Sequence, residues 1–200
     1  MFKYASMIKS LAFCAATFAC LSVLFKNSIV IVPEVTEIRI CNIVAVCYGI
    51  WFGPAGAWGC ALGNLVGDLG GSLTILSIGG FAANFFSAYI PYKNWEAMGK
   101  VYGEHKLERP SMKSKKWALR YLLAGLASVV ACALILAITF DLGNSMSAID
   151  AFVLIFCNNM AATLVGMILY VVMAKVPSKV LPYWRDMMRC EPTMPERKKN

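Results

Sequence analysis

Residues 37–71 read EIRICNIVAVCYGIWFGPAGAWGCALGNLVGDLGG, and the fold of the chain is decided here. From 40 to 52 the residues are apolar apart from Asn42, which predicts a membrane-embedded helix. Gly53-Pro54 ends it, because proline lacks the N–H and its ring collides with the preceding turn. A second helix follows, on which Gly59, Gly63, Gly67 and Gly71 recur at every fourth position. Such a row lets another helix approach to backbone distance where lipid offers no hydrophobic driving force, so it is a packing device. The next ridge carries Asn64 and Asp68, one turn apart. An ionisable group at membrane depth is a candidate for function.

Outward from this stretch the chain stays apolar. Of 200 residues 59% are hydrophobic and 15% charged, with a mean hydropathy of +0.63, which excludes an ordinary soluble domain. A helical span needs about 20 apolar residues, and the best further candidates are residues 8–25, 72–92, 119–140 and 150–174. With the two helices that meet at Gly53-Pro54, the expectation is an all-α membrane protein of six transmembrane helices in a compact bundle. Residues 1–176 form that membrane domain, with a cytoplasmic loop at 93–118, and residues 177–200 form a basic cytoplasmic tail. The first span resembles a signal peptide, with Lys3 and Lys9 ahead of an apolar core. No good cleavage site follows it, and the residues before Cys20 match a lipoprotein signal poorly, so cleavage is not expected.

Orientation follows from the basic residues, which favour the cytoplasmic side of short loops. Lys3 and Lys9 stand ahead of the apolar core of the first span, eight lie between 93 and 120 and seven follow 174, so an even number of helices puts 17 of the 19 on one side. Only Lys26 and Arg39 face the other way, in the company of Glu34, Glu37, Asp68, Asp141 and Asp150. Both termini are therefore expected in the cytoplasm. The net charge of +8 is accounted for by topology and lipid headgroups, which leaves no basic surface for nucleic acid.

Several chemistries are excluded. The eight cysteines contain no Cys-x-x-Cys pair and read as small apolar residues. His105, the single histidine, falls in the cytoplasmic loop, away from the buried polar groups, so neither a metal centre nor an acid–base enzyme is expected, and no cofactor. No glycine-rich phosphate loop with Gly-Lys-Ser/Thr is present, so the chain does not energise transport by hydrolysing nucleotide itself.

The buried polar residues instead gather toward the outer leaflet. Glu37, Arg39, Asn42, Asp68, Asn84, Asn158, Asn159 and Thr163 are the candidate substrate contacts, in a pocket that suits a small, partly polar solute captured from outside. Asn158 and Asn159 lie about 12 Å down the sixth helix at 1.5 Å per residue, where amides are costly unless they pair or face water. Each has an alternative. Arg39 can pair with Glu37 or Asp68 as a structural lock, and the asparagines can bond between helices. On the first helix Ala12, Ala16 and Ala19 make a small-residue stripe that either packs inside the bundle or docks another subunit.

The run Glu37-Ile38-Arg39 with Asn42, then Phe52-Gly53-Pro54-Ala55-Gly56-Ala57 with Gly59, Gly63, Asn64, Gly67 and Asp68, resembles the second and third helices of the substrate-binding S components of energy-coupling factor (ECF) transporters. The motif covers residues 37–71; length, helix number and the alanine stripe extend the likeness over most of the chain. The resemblance implies a protein of the bacterial plasma membrane that binds a vitamin or related micronutrient from outside with high affinity. It also implies a membrane coupling subunit and two ATPase subunits as partners, Ala12, Ala16 and Ala19 as the meeting face, and toppling in the bilayer to release the ligand. No complete ligand-specific signature for riboflavin, thiamine, biotin, folate or queuosine precursors is recognised, so the substrate stays unnamed. A stand-alone small-solute transporter or channel is the alternative; it calls for an internal repeat or a continuous polar path, and neither is evident.

Overall fold

The structure is a computed structural model that describes residues 2–25, 30–32, 36–37, 40–69, 74–101, 109–111, 114–177, 179–181 and 183–184. Its helices are α1 (Phe2–Leu24), α2 (Asn42–Phe52), α3 (Pro54–Asp68), α4 (Ile75–Val101), α5 (Lys115–Leu142) and α6 (Ala148–Lys175). Between α1 and α2 the chain pairs β1 (Val30–Val32) with β2 (Thr36–Glu37) in a short antiparallel ribbon, Val30 opposite Glu37. The all-helical expectation holds for the bundle, and the ribbon is the addition.

The helix α2 is buried throughout from Val44 to Phe52. Around it α1 packs on α3, α3 on α4, α4 on α5 and α5 on α6, while α2 rests against α3, α4 and α6. The α2–α3 turn depends on Gly53, whose φ of 57° would strain any residue with a Cβ. Pro54 follows at the first position of α3, where a missing N–H costs nothing. At the far end of the bundle α5 closes through Asn144 in the left-handed region, and Ser147 caps α6 by accepting the Asp150 N–H.

The glycine row on α3 does what its spacing predicts. A Cβ at Gly59 would fall 2.4 Å from that of Cys14, and at Gly63 2.7 Å from the Ala15 carbonyl, so α1 lies against the bare backbone of α3. Gly67 faces Ser22 in the same way; Gly71 lies outside the described residues.

Among the described residues three helices are long and apolar enough to cross a membrane: Ala5–Leu24, Lys115–Leu142 and Ala148–Lys175. With 11 and 15 residues, α2 and α3 rise only about 17 and about 22 Å, short of a hydrocarbon core of about 30 Å. The space below their turn is filled by aromatic rings from elsewhere. At this basic end Trp95 meets Trp117 at 5.6 Å and Tyr170 at 5.8 Å, and the buried Arg120 lies 4.1 Å over Trp95 and donates to its carbonyl.

Pro91 marks the expected end of the fourth span, yet α4 runs through it to Val101. Proline cannot supply the N–H that the Ser87 carbonyl, four residues back, would accept. The Ser128 hydroxyl of α5 donates to that carbonyl at 2.6 Å instead, and the helix continues because a neighbour satisfies the group the proline orphans. We predict that Ser128→Ala costs about 1 kcal/mol, read as a lower unfolding midpoint in detergent. In a Pro91→Ala background, where the helix regains its own bond, the same change should cost much less; equal losses in both backgrounds refute the account.

Candidate functional site

The beginning of α2 lies deep in the bundle. The Ile43 carbonyl packs against Gly166 of α6, and Asn42 meets Asn159 of the same helix. From its start at Ala148, α6 therefore descends about 17 Å at 1.5 Å per residue before it reaches α2.

At that depth the polar groups form one connected layer. Asn42 Nδ2 donates to Asn159 Oδ1 at 2.5 Å, and Asn159 Nδ2 donates to the Cys132 sulfur at 3.2 Å. On the other side the Cys41 thiol donates to Asn42 Oδ1 at 3.7 Å and accepts from the Ser22 hydroxyl at 3.8 Å. Helices α1, α2, α5 and α6 are thereby tied together by uncharged groups, each able to bond in more than one way. Beside the amide pair is a cavity lined by Asn42, Ala45, Val46, Ser87, Ser128, Val129, Asn159 and Thr163, with room for about one water molecule.

The sequence-derived candidates divide accordingly. Asn42, Asn159 and Thr163 line one cavity. Asn158, adjacent in sequence to Asn159 but on another face of α6, is partly exposed and lies outside that lining. Asn84 is buried and donates to the Gly80 carbonyl of its own helix at 2.8 Å. Asp68 accepts from Asn64 at 3.0 Å on the α3–α4 side, where Gly80 lets α4 lie flat on the amide. Glu37 stands in β2, described at its backbone, and Arg39 lies outside the described residues.

Ser87, Ser128 and Cys132 belong to this region and were not singled out from the sequence. Pro91 held the one signal for the serines, since an internal proline predicts an orphan carbonyl four residues earlier and a donor somewhere to meet it. Of the alanine stripe, Ala12 and Ala16 are exposed on α1, and Ala19 is partly buried where its N–H side approaches Gly63. Among the described residues no group of three or more His, Cys, Asp or Glu is placed to hold a metal ion.

In comparison with known proteins, a family model described as QueT transporter matches residues 8–175. No curated protein and no solved structure matches the chain.

Proposed function

Because the chain belongs to the QueT transporter family, the queuosine-precursor S components of ECF transporters, we propose that it captures a queuosine precursor on the outer side of the bacterial plasma membrane. It does so as a bundle of six membrane-embedded helices with both ends in the cytoplasm and delivers its ligand with the aid of a membrane coupling subunit and two ATPase subunits. The observation that carries this reading is the Asn42–Asn159 amide pair at the deep start of α2, with a small polar cavity beside it.

A neutral, flat solute whose edge alternates donors and acceptors suits such a layer, since amides and hydroxyls can answer either kind of group. In this reading Asn42, Asn159 and Thr163 hold the deep edge of the ligand. Glu37, Arg39 and Asp68 shape the mouth above, and Asn84 and Asn158 contribute from its walls. Ligand entry replaces the amide–amide bond by amide–ligand bonds, so few polar groups lose partners on binding. Ala12 and Ala16, exposed on α1 with Ala19 beside them, are the face offered to the coupling subunit, where small side chains permit close helix approach.

Mass spectrometry of the small molecule retained through purification tests the substrate, a queuosine precursor being the expected result. Arg39→Ala and Asn158→Ala test the mouth and wall. Each should weaken affinity about tenfold if it removes one ligand hydrogen bond of roughly 1.4 kcal/mol, measured by titration calorimetry on folded protein. Unchanged affinity in both rejects these two contacts. Solute flux through the chain alone in liposomes, with no ATPase present, overturns the S-component assignment of its mechanism in favour of a stand-alone transporter.

A further inference from the structure

The chain beyond α6 folds back onto the basic end of the bundle. The Pro177 carbonyl accepts the Val180 and Leu181 N–H groups at 3.0 Å, and Arg109 Nη2 donates to the Leu181 carbonyl at 2.8 Å. Tyr183 is fully buried with its ring edge-on to Trp51 at 6.0 Å, and Trp184 meets Tyr92 edge-on at 4.9 Å. The Arg109 guanidinium lies 4.9 Å over the Trp51 ring. A Cβ on Gly53 would come within 3.0 Å of the Trp184 indole, so that ring covers the tip of the α2–α3 turn.

The contacts of Tyr183 and Arg109 with Trp51 and of Trp184 with Gly53 bear on the basic end of α2, and Asn42 is at its opposite end. Between the two, α2 is gripped by backbone on both flanks: Gly49 against the Ala88 carbonyl of α4, and its own Ile43 carbonyl against Gly166 of α6. A close-packed helix of 11 residues moves as one body, because interiors at this density transmit strain rather than absorb it. We propose that Tyr183 and Trp184 form a latch on α2 that couples the basic end of the bundle to the Asn42–Asn159 pair. With the latch seated, the two amides are in register; with it lifted, α2 is free to shift and the ligand is held less tightly. Coupling is reciprocal, so ligand also holds the latch shut. Tyr183 and Trp184 are thus positioning residues, and the link to affinity rests on the reading of the amide pair as the ligand site.

Hydrogen exchange of the ligand-free full chain tests the latch without reference to any ligand. Trp184→Ala should speed exchange of the α2 amides about tenfold while α5 and the outer half of α6 keep their rates, and Trp184→Phe should restore protection. With a queuosine precursor as probe, Trp184→Ala should speed dissociation by about tenfold, within the usual range of site-to-site coupling. In case that variant does not fold, Tyr92→Cys with Trp184→Cys, with Cys20, Cys157 and Cys190 changed to Ser and the new pair joined by a short cleavable thiol cross-linker, should slow both α2 exchange and dissociation until cleaved. Acceleration spread evenly over all helices, or α2 rates that respond to neither variant, overturns the latch. Faster α2 exchange with unchanged dissociation of a bound precursor overturns the coupling. Faster α2 exchange in a chain that binds no precursor supports the latch and refutes the ligand reading alone.

Discussion

Gly49→Val should leave no folded protein in the membrane. At Gly49 a Cβ would stand 2.0 Å from the Ala88 carbonyl oxygen and 2.8 Å from its carbon, and both atoms belong to the backbone of α4. A flexible side chain could swing aside; a helix backbone cannot. Relief requires α2 and α4 to part by more than an ångström along a face where Ile50, Trp51 and Ala88 are wholly buried. The expected cost is on the order of 4 kcal/mol or more, at the extreme of single substitutions. Gly80→Ala is the matched control, because its new Cβ would meet the far end of the Asn64 side chain at 3.0 Å, which can rotate. Size-exclusion profiles and melting curves in detergent should show aggregation for the first and a monodisperse peak for the second. A monodisperse, ligand-retaining Gly49→Val protein refutes the backbone contact on which the placement of α2 depends.

The second large effect concerns the amide layer. Asn159→Leu removes a group that bonds Asn42 and Cys132, and strands the Asn42 amide where α2 begins. A buried polar group left without its partner costs about 1–3 kcal/mol, or roughly a factor of 10 to 100 in an equilibrium constant. Single substitutions Asn42→Leu and Asn159→Leu should each lower the unfolding midpoint and each weaken precursor affinity by at least tenfold. In the double variant the two properties part. Replacing both partners by apolar groups of similar size is nearly neutral for folding, so stability should recover, whereas the ligand still lacks both amides and affinity should stay lost. Recovery of affinity together with stability assigns the pair a purely structural role and removes the ligand from this layer.

These two experiments touch residues of very different legibility. The turn at Gly53-Pro54, the glycine row of α3 and the apolar runs can be read directly, because each rests on the conformational limits of the residues that carry it or on a spacing along one helix. The family resemblance is legible for the same reason, since its motif is confined to residues 37–71, and the match over 8–175 bears it out. The candidate site is only partly so. Asn42 and Asn159 were both singled out, yet nothing local distinguishes Asn159, buried in the layer, from Asn158, turned to another face of the same helix. Pro91 signals a helix end in the sequence, and a serine on another helix makes it an interior residue.

Helix number, the membrane as solvent, the short α2–α3 hairpin and the face of α3 that bares its backbone follow from the order of residues, since propensity, periodicity and charge act over one or two turns. Which amide meets which, that α2 starts deep inside, and that Tyr183 and Trp184 close the basic end are decided by the packed bundle. The physical reason is that lipid and protein interior are both apolar. Hydropathy along a membrane helix therefore does not tell the face that meets lipid from the face that meets another helix, and that choice is made by the fit of side chains to bare backbone across partners as far apart in the chain as Asn42 and Asn159.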